Sequence, residues 1–165
     1  MRWWHRSGAW PAVALLAAAT TGCTAGAPGR ACTEIGSVAG VSVVVEREVA
    51  AGAPTLDLTI CQSDCVEAAV PLEPGAVTVG ETCSPGGPDG SCSASSSPDG
   101  TLVGFIDVPS LTVGEVRVRG ELTTAGSTTA LDEITVAAEA TYPNGRDCPA
   151  GGPQAVLRVT ATGLR

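Results

Sequence analysis

Apolar and polar residues alternate along most of the chain after its first thirty residues, and no segment repeats apolar residues with helical spacing. Side chains at every second position share one face of a strand, so each alternating segment predicts a half-buried β-strand. Eight segments fit: GVSVVVERE from Gly40, TLDLTIC from Thr55, CVEAAVPL from Cys65, a shorter one at Val77 and Val79, TLVGFIDV from Thr101, EVRVRGEL from Glu115, DEITVAAEATY from Asp132 and QAVLRVTAT from Gln154.

The segments between these strands are rich in Gly, Pro, Ser and Asp, which favour turns: AAGAP, EPGA, SPGGPDGS, SSSPDG, TTAGS and YPNGRDCPAGGP. Short alternating strands separated by such turns are typical of two sheets that share one core. We therefore expect an all-β fold, an antiparallel immunoglobulin-like β-sandwich of about seven or eight strands. Its core consists of Val, Leu, Ile and Ala with few rings, so disulfides are expected to help stabilise it.

The first 22 residues have the layout of a secretory signal peptide. Arg2 and Arg6 precede an apolar run, Ala9–Ala19, which small residues follow. The run is shorter than the roughly 20 residues that a membrane-spanning helix needs, and no later segment of the sequence reaches that length. Residues 1–22 are therefore expected to direct export.

Cys23 ends the sequence TTGC, which resembles the bacterial lipobox whose cysteine receives diacylglycerol; Thr20 stands where that motif usually has Leu. This resemblance implies a lipoprotein in which Cys23 is lipidated, residues 23–31 form a tether, and residues 32–165 form the sandwich. Two acyl chains hold a protein firmly on a bilayer. The expected location is the outer face of the plasma membrane. The alternative is a plain secreted protein, cut after AGA at Ala25–Ala27.

Six further cysteines are expected to form three disulfides in the oxidising environment outside the cell. Cys61 and Cys65 flank a tight hairpin, and Cys83 and Cys92 bracket the loop SPGGPDGS. Cys32, before the first strand, is then left for Cys148, before the last one. Six cysteines allow fifteen connectivities, so this scheme is one prediction among alternatives. A redox motif or a zinc site is disfavoured by the spacing and the compartment.

Composition excludes several classes of function. After residue 22 the chain contains no His, Lys, Met or Trp, and its formal charge changes from −8 to about −10 because Arg2 and Arg6 are lost. An acidic chain is not expected to bind nucleic acid. Without His or Lys, catalysis by Ser-His, Cys-His or Ser-Lys groups is excluded. No cofactor and no metal site are expected, since Asp89 and Asp99 lie in turn sequences that lack the pattern of a calcium loop.

Only carboxylate chemistry is left for an enzyme, and it needs two acids about 5–10 Å apart in a pocket. Asp132 and Glu133 are adjacent, so a regular strand would place them on opposite faces. We therefore expect a protein that is not an enzyme. A carboxylate-dependent hydrolase and an accessory subunit of an envelope complex are the alternatives.

Three stretches, ACTEIGSVAGVSVVVE, DVPSLTVGEVRVRGEL and TYPNGRDCPAGGPQAVLRV, resemble small actinobacterial lipoproteins. The middle stretch is also similar to a strand crossing of fibronectin-type and immunoglobulin-like sandwiches. The resemblance implies a fold and a location and supplies no functional residues. The expected role is a non-catalytic binding or structural module of the cell envelope, held by its lipid anchor and contacting an envelope protein or polymer.

Overall fold

The computed structural model describes residues 32–84 and 90–165. The predicted signal peptide, Cys23, the tether and Asp89 lie outside the described residues. Residues 32–165 form one compact unit. Within the described part of the chain, no helix is long and apolar enough to cross a membrane.

The described residues form nine strands and one short helix, arranged as two sheets. Their bounds are β1 Gly40–Val45, α1 Arg47–Ala50, β2 Thr55–Cys61, β3 Cys65–Ala69, β4 Glu73–Cys83, β5 Cys92–Asp107, β6 Gly114–Thr124, β7 Ser127–Ala138, β8 Gln154–Thr160 and β9 Gly163–Leu164. One sheet has the order β4-β5-β1-β8-β9, and the other has the order β3-β2-β6-β7.

The two sheets face each other and enclose one apolar core, so the fold is a β-sandwich. Alternate residues of β1, β2, β6 and β8 are buried, as the sequence pattern predicted. The least exposed side chains come from both sheets: Val41, Val43, Val45, Leu56, Leu58, Ile60, Val116, Val118, Leu157 and Val159. Burial of a valine or leucine side chain stabilises the folded state by roughly 1.5–3 kcal/mol. All eight predicted strands are present, and the expected all-β sandwich is confirmed.

Strand β1 lies at the centre of the five-stranded sheet. It pairs antiparallel with β5, with Val45 opposite Leu102, and parallel with β8, with Gly40 opposite Gln154. In an immunoglobulin domain the first two strands share a sheet, whereas here β1 and β2 lie in different sheets. The closer immunoglobulin-like description is not confirmed by this order.

Gly120 marks a close approach between β2 and β6. A Cβ atom built on Gly120 would lie 2.5 Å from the backbone oxygen of Asp57 and 2.6 Å from Cδ2 of Leu58. Real Cβ atoms do not come so close to backbone, so only glycine fits here without a shift of β2. In the neighbouring strand pair, a β-bulge lies between Val118 and Gly120.

Strands β4 and β5 are longer than predicted. The sequence SSSPDG, expected to form a turn, lies inside β5, and the short strand around Val77 and Val79 is part of the 11-residue strand β4. The turn prediction was wrong because Ser and Pro are tolerated in a ribbon that has no apolar face to bury. Gly100 takes φ +83° where the register between β4 and β5 shifts, between the pairs Pro74–Leu102 and Ala76–Pro98.

Candidate functional site

The most unusual feature of the molecule is a two-stranded ribbon that continues past the end of β1. We call it the β4–β5 arm and define it as residues 76–84 and 90–98. Pairing of β5 with β1 ends where Val45 lies opposite Leu102, and beyond that point β4 and β5 pair, among the described strands, only with each other. Every described residue of the arm is exposed except Ser97, which is half-buried.

One face of the arm carries Val77 and Val79, which lie opposite Ser97 and Ser95. These two valines are 47% and 42% exposed, although their alternation is the same as that of the buried core strands. A second bulge, between Val79 and Thr82, shifts the register toward the tip. The arm therefore presents small apolar and hydroxyl side chains to solvent on both faces.

Three disulfides join the described cysteines, and they are the three predicted pairs: Cys32–Cys148, Cys61–Cys65 and Cys83–Cys92. Cys83–Cys92 closes the tip of the arm. Cys61–Cys65 spans the hairpin between β2 and β3, where the two cysteines are direct strand partners. Cys32–Cys148 lies at the other end of the sandwich and fixes the start of the domain.

The segment before β1 is fixed to the loop between β7 and β8 by more than this disulfide. Asn144 donates an amide hydrogen bond to the backbone oxygen of Ile35, with a donor–acceptor distance of 2.7 Å, and accepts one from Thr33. Ser37 is hydrogen-bonded to Thr141. The described domain thus begins at the end of β1 opposite to the arm.

The base of the arm is held by a small polar cluster. Asp99 Oδ1 accepts hydrogen bonds from the backbone N–H of Thr101 at 2.9 Å and from its hydroxyl at 2.7 Å. These two bonds, with a smaller effect from the Arg47 guanidinium, lower the pKa of Asp99 below its ordinary value of 3.8. Arg47 in α1 donates from Nε to the backbone oxygen of Asp99 at 2.9 Å. Asp99 thus holds the base of the arm through its bonds with Thr101 and Arg47.

A second surface lies on the outer face of the four-stranded sheet. It is a groove of about 600 Å³ lined mainly by outward side chains of β2, β3 and β6: Asp57, Thr59, Glu67, Arg119 and Glu121 are among them. Asp57 lies directly opposite Glu121, and Thr59 opposite Arg119. Side chains in directly opposite positions have Cβ atoms about 4.5–5.5 Å apart. The groove therefore holds two facing carboxylates, both of them exposed.

Asp132 and Glu133 do not alternate as a regular strand requires. Val118 pairs with Ile134 and Gly120 with Leu131, so two residues of β7 stand opposite Arg119 alone. Both acids are exposed, and Glu133 lies 3.8 Å from Arg117 in an ion pair between two exposed side chains. The expectation that they lie on opposite faces was wrong, because the sequence gives no signal for this bulge.

No group of three or more His, Cys, Asp or Glu residues that could hold a metal ion occurs among the described residues. The Arg146 guanidinium lies 5.5 Å from the centre of the Tyr142 ring, which gives this half-exposed ring a structural partner.

The chain matches no protein-family model, no curated protein and no solved structure. The arm and the groove are therefore candidate sites on the basis of their geometry alone.

The Cys83–Cys92 disulfide was predicted from the sequence, but the two-stranded arm that it closes was not. A signal was present in the composition. From Ala76 to Pro98 only Glu81 and Asp89 are charged, and Ser and Thr are frequent. A long stretch with alternating Val and Thr on one side and Ser on the other, closed by two cysteines, fits a stapled ribbon as well as a loop.

Proposed function

We propose that this protein is a lipid-anchored, non-catalytic binding module on the outer face of the plasma membrane, which presents the β4–β5 arm to a protein of the cell envelope. The observation that carries the proposal is the arm itself. It is exposed on both faces, adds nothing to the core, and is closed by its own disulfide. An element that buries no apolar surface adds little to the stability of the fold, so we assign the arm a role in binding.

The position of the arm supports the same proposal. A lipid on Cys23 would hold the molecule through the chain that enters at Cys32, and the arm leaves the sandwich past the other end of β1. From Ala76 to Cys83 the arm has a length of about 25 Å at roughly 3.3 Å per residue. In an anchored molecule, the arm would extend away from the membrane toward the envelope.

The anchor is tested by the intact mass of the protein extracted from membranes of a high-GC Gram-positive host, before and after reduction. We expect a chain that starts at Cys23, carries a diacylglyceryl mass and gains six hydrogens on reduction. The matched control is Cys23→Ser, which should leave the three disulfides intact and abolish lipidation. A wild-type chain found in the medium, without lipid, would contradict the anchor.

Presentation of the arm is tested by exchanging only the arm. Residues 76–98 are replaced by a two-residue Asn-Gly turn, which favours a tight hairpin. The shortened protein should remain folded and anchored and should lose the envelope proteins that crosslink to the wild type. A matched variant that alters the far surface, Arg117→Gln, should retain them. Identical crosslinks in all three proteins would contradict a binding role of the arm.

A carboxylate-dependent hydrolase is a second candidate, and the facing pair Asp57 and Glu121 in the groove favours it. Two features oppose it: both carboxylates are exposed on the outer face of a sheet, and Phe105 and Tyr142, the aromatic residues after residue 22, do not line the groove. We expect Glu121→Gln to raise the free energy of unfolding by about 0.2–1 kcal/mol, because like charges directly opposite each other are destabilising. Loss of a hydrolytic activity in this variant would support the enzyme instead.

A further inference from the structure

We infer that the partner adds a β-strand to the free edge of β4 at Ala76–Val79, and that this strand is an extended basic segment of another protein. The inference rests on the proposed function and specifies its binding mode. Strand β4 is the edge of the five-stranded sheet, and none of the described strands pairs with its outer side. A free edge of this kind is a template for a further strand.

The other sheet edges in the described chain are protected. Strand β9 has two residues, and β3 has five with Glu67 at its centre. Strand β7 is interrupted by the bulge that carries Asp132 and Glu133. Short strands, charges and bulges are the usual means of preventing strand addition. In β4, bulges lie on both sides of Ala76–Val79, but that run is regular and uncharged.

The arm also has a second free edge, along β5, and the two differ in composition. The β5 side contains Ser95, Ser96, Ser97 and Pro98, whereas the β4 side contains Val77, Thr78 and Val79. β-Branched residues favour a strand surface, and proline cannot donate to a ladder. The edge of β4 is therefore the better acceptor of a strand.

A second copy of this chain is a poor occupant. Antiparallel pairing of β4 with β4 of another copy requires a two-fold axis across the strands, which turns the Cys32 ends in opposite directions. Two molecules anchored on one membrane have these ends on the same side. If both copies keep the same orientation on the membrane, their β4 strands are parallel and the two-fold axis runs along the strands. That symmetry places each N–H group on the edge of one copy opposite the same N–H group of the other, so the two edges cannot form a ladder.

Pairing β4 of one copy with β5 of the next is excluded by size. It would repeat the molecules about every 10 Å, the width of two strands. The five-stranded sheet is about 24 Å wide at the same spacing, so neighbouring sandwiches would collide. The occupant is therefore a strand from a different protein.

Charge defines the chemistry of that strand. The run Ala76–Val79 lies between Glu73 and Glu81 in the same strand. The domain as a whole is strongly acidic. A partner segment with alternating β-branched residues and Arg or Lys at both ends complements this edge, and its attraction to the acidic domain speeds association.

The probe is a synthetic peptide with the centre Thr-Val-Thr-Val-Thr and two arginines at each end, titrated into the full chain in non-ionic detergent. Binding is measured by calorimetry, and the backbone amides of β4 are followed by hydrogen exchange. We expect binding, together with slower exchange at Ala76–Val79. A control peptide with proline at its centre keeps the charge and should bind about tenfold more weakly, since it loses ladder hydrogen bonds. No binding, or equal binding of the two peptides, would overturn the inference.

Two proline variants locate the edge. N–H groups alternate between the two sides of a strand, so one of Val77→Pro and Thr78→Pro disrupts the β4–β5 ladder and the other removes only a donor on the free edge. The variant that keeps the arm protected from exchange should lose binding at least about tenfold. The matched controls are Ser95→Pro and Ser96→Pro in β5. The one of these two variants that keeps the amides of the arm protected from exchange should bind the peptide as tightly as the wild type. Unchanged binding in the edge variant would overturn the inference.

Analytical ultracentrifugation of the same samples tests whether a second copy of this chain pairs with β4. We expect monomers, and a dimer that the edge variant dissociates would show self-pairing instead and overturn the choice of partner. These results are independent of the mass measurement at Cys23. A lipidated chain that fails to bind the peptide would support the anchor and contradict strand addition. An unlipidated chain that binds the peptide would support strand addition and contradict the anchor.

Discussion

Valines in the sandwich and valines in the arm have opposite surroundings although they alternate in the same way. Val43 and Val118 are 1% and 0% exposed, whereas Val77 and Val79 are 47% and 42% exposed. The sandwich is stabilised mainly by apolar burial between two sheets. The arm has a backbone ladder and one disulfide, and an isolated two-stranded hairpin is only marginally stable in water. The two regions should therefore respond differently to the same kind of substitution.

The largest difference in the free energy of unfolding is expected between removal of a disulfide in the sandwich and removal of the disulfide in the arm. Removal of Cys32–Cys148 by paired serine substitutions releases a loop with a sequence separation of 116 and should lower the free energy of unfolding by about 4–5 kcal/mol. Because the arm adds nothing to the core and can open separately, removal of Cys83–Cys92, with a separation of 9, should change the unfolding of the sandwich by less than about 1 kcal/mol. Instead, the arm should become sensitive to protease. Denaturant titration and limited proteolysis measure the two effects, and equal loss of global stability would contradict the distinction.

Truncation of one side chain in each region gives a smaller contrast. Leu157→Ala removes a fully buried side chain and should cost about 3 kcal/mol of unfolding free energy. Val79→Ala, in the arm, should change it by less than about 0.5 kcal/mol. Urea unfolding of both variants checks this. A large effect of Val79→Ala would indicate that the arm is covered in the free protein.

Glycine substitution separates close approach from open surface. Gly120→Ala would place a methyl group against the backbone of Asp57 and should destabilise the sandwich by about 1–3 kcal/mol. Gly36→Ala is the matched control, since no heavy atom lies within 4 Å of the Cβ position at Gly36. Thermal unfolding of both variants should show a lower midpoint only for Gly120→Ala. Similar midpoints would mean that β2 moves aside without cost.

The smallest effect concerns pH at the base of the arm. Because the pKa of Asp99 is lower in the folded state than its ordinary value of 3.8, its stabilising effect is complete above that value and is lost as pH falls through the folded pKa. The protection factors of amides at the arm base, which correct for the slower intrinsic exchange in acid, should therefore decrease below pH 3.8. Thr101→Val removes the hydroxyl donor and should move the pKa of Asp99, followed by NMR, back toward 3.8. An unchanged pKa would show that the Thr101 hydroxyl has no part in the shift.

The strands, the core and the three cysteine pairs were predictable from sequence because each has a local or pairwise signal. Val41, Val43 and Val45 alternate, and Cys61–Cys65 and Cys83–Cys92 each bracket a short segment of the sequence. The arm was not predictable, because Val77 and Val79 show the pattern of a buried strand and only the absence of a covering sheet makes them exposed. The bulge at Asp132 and the order of strands likewise depend on pairing between distant segments, which alternation does not encode.

The pairing of β1 with β8 makes the centre of one sheet from the two ends of the domain. A ribosome that adds 5–20 residues per second needs roughly 6–23 s to pass from one of these strands to the other. Throughout that interval, the valines of β1 lack their neighbour, and Cys32 lacks Cys148. The sandwich therefore cannot be completed during early synthesis, and the long-range contacts at its centre make folding slow relative to a helical protein of the same size. The core of the nascent chain thus stays incomplete until β8 is made.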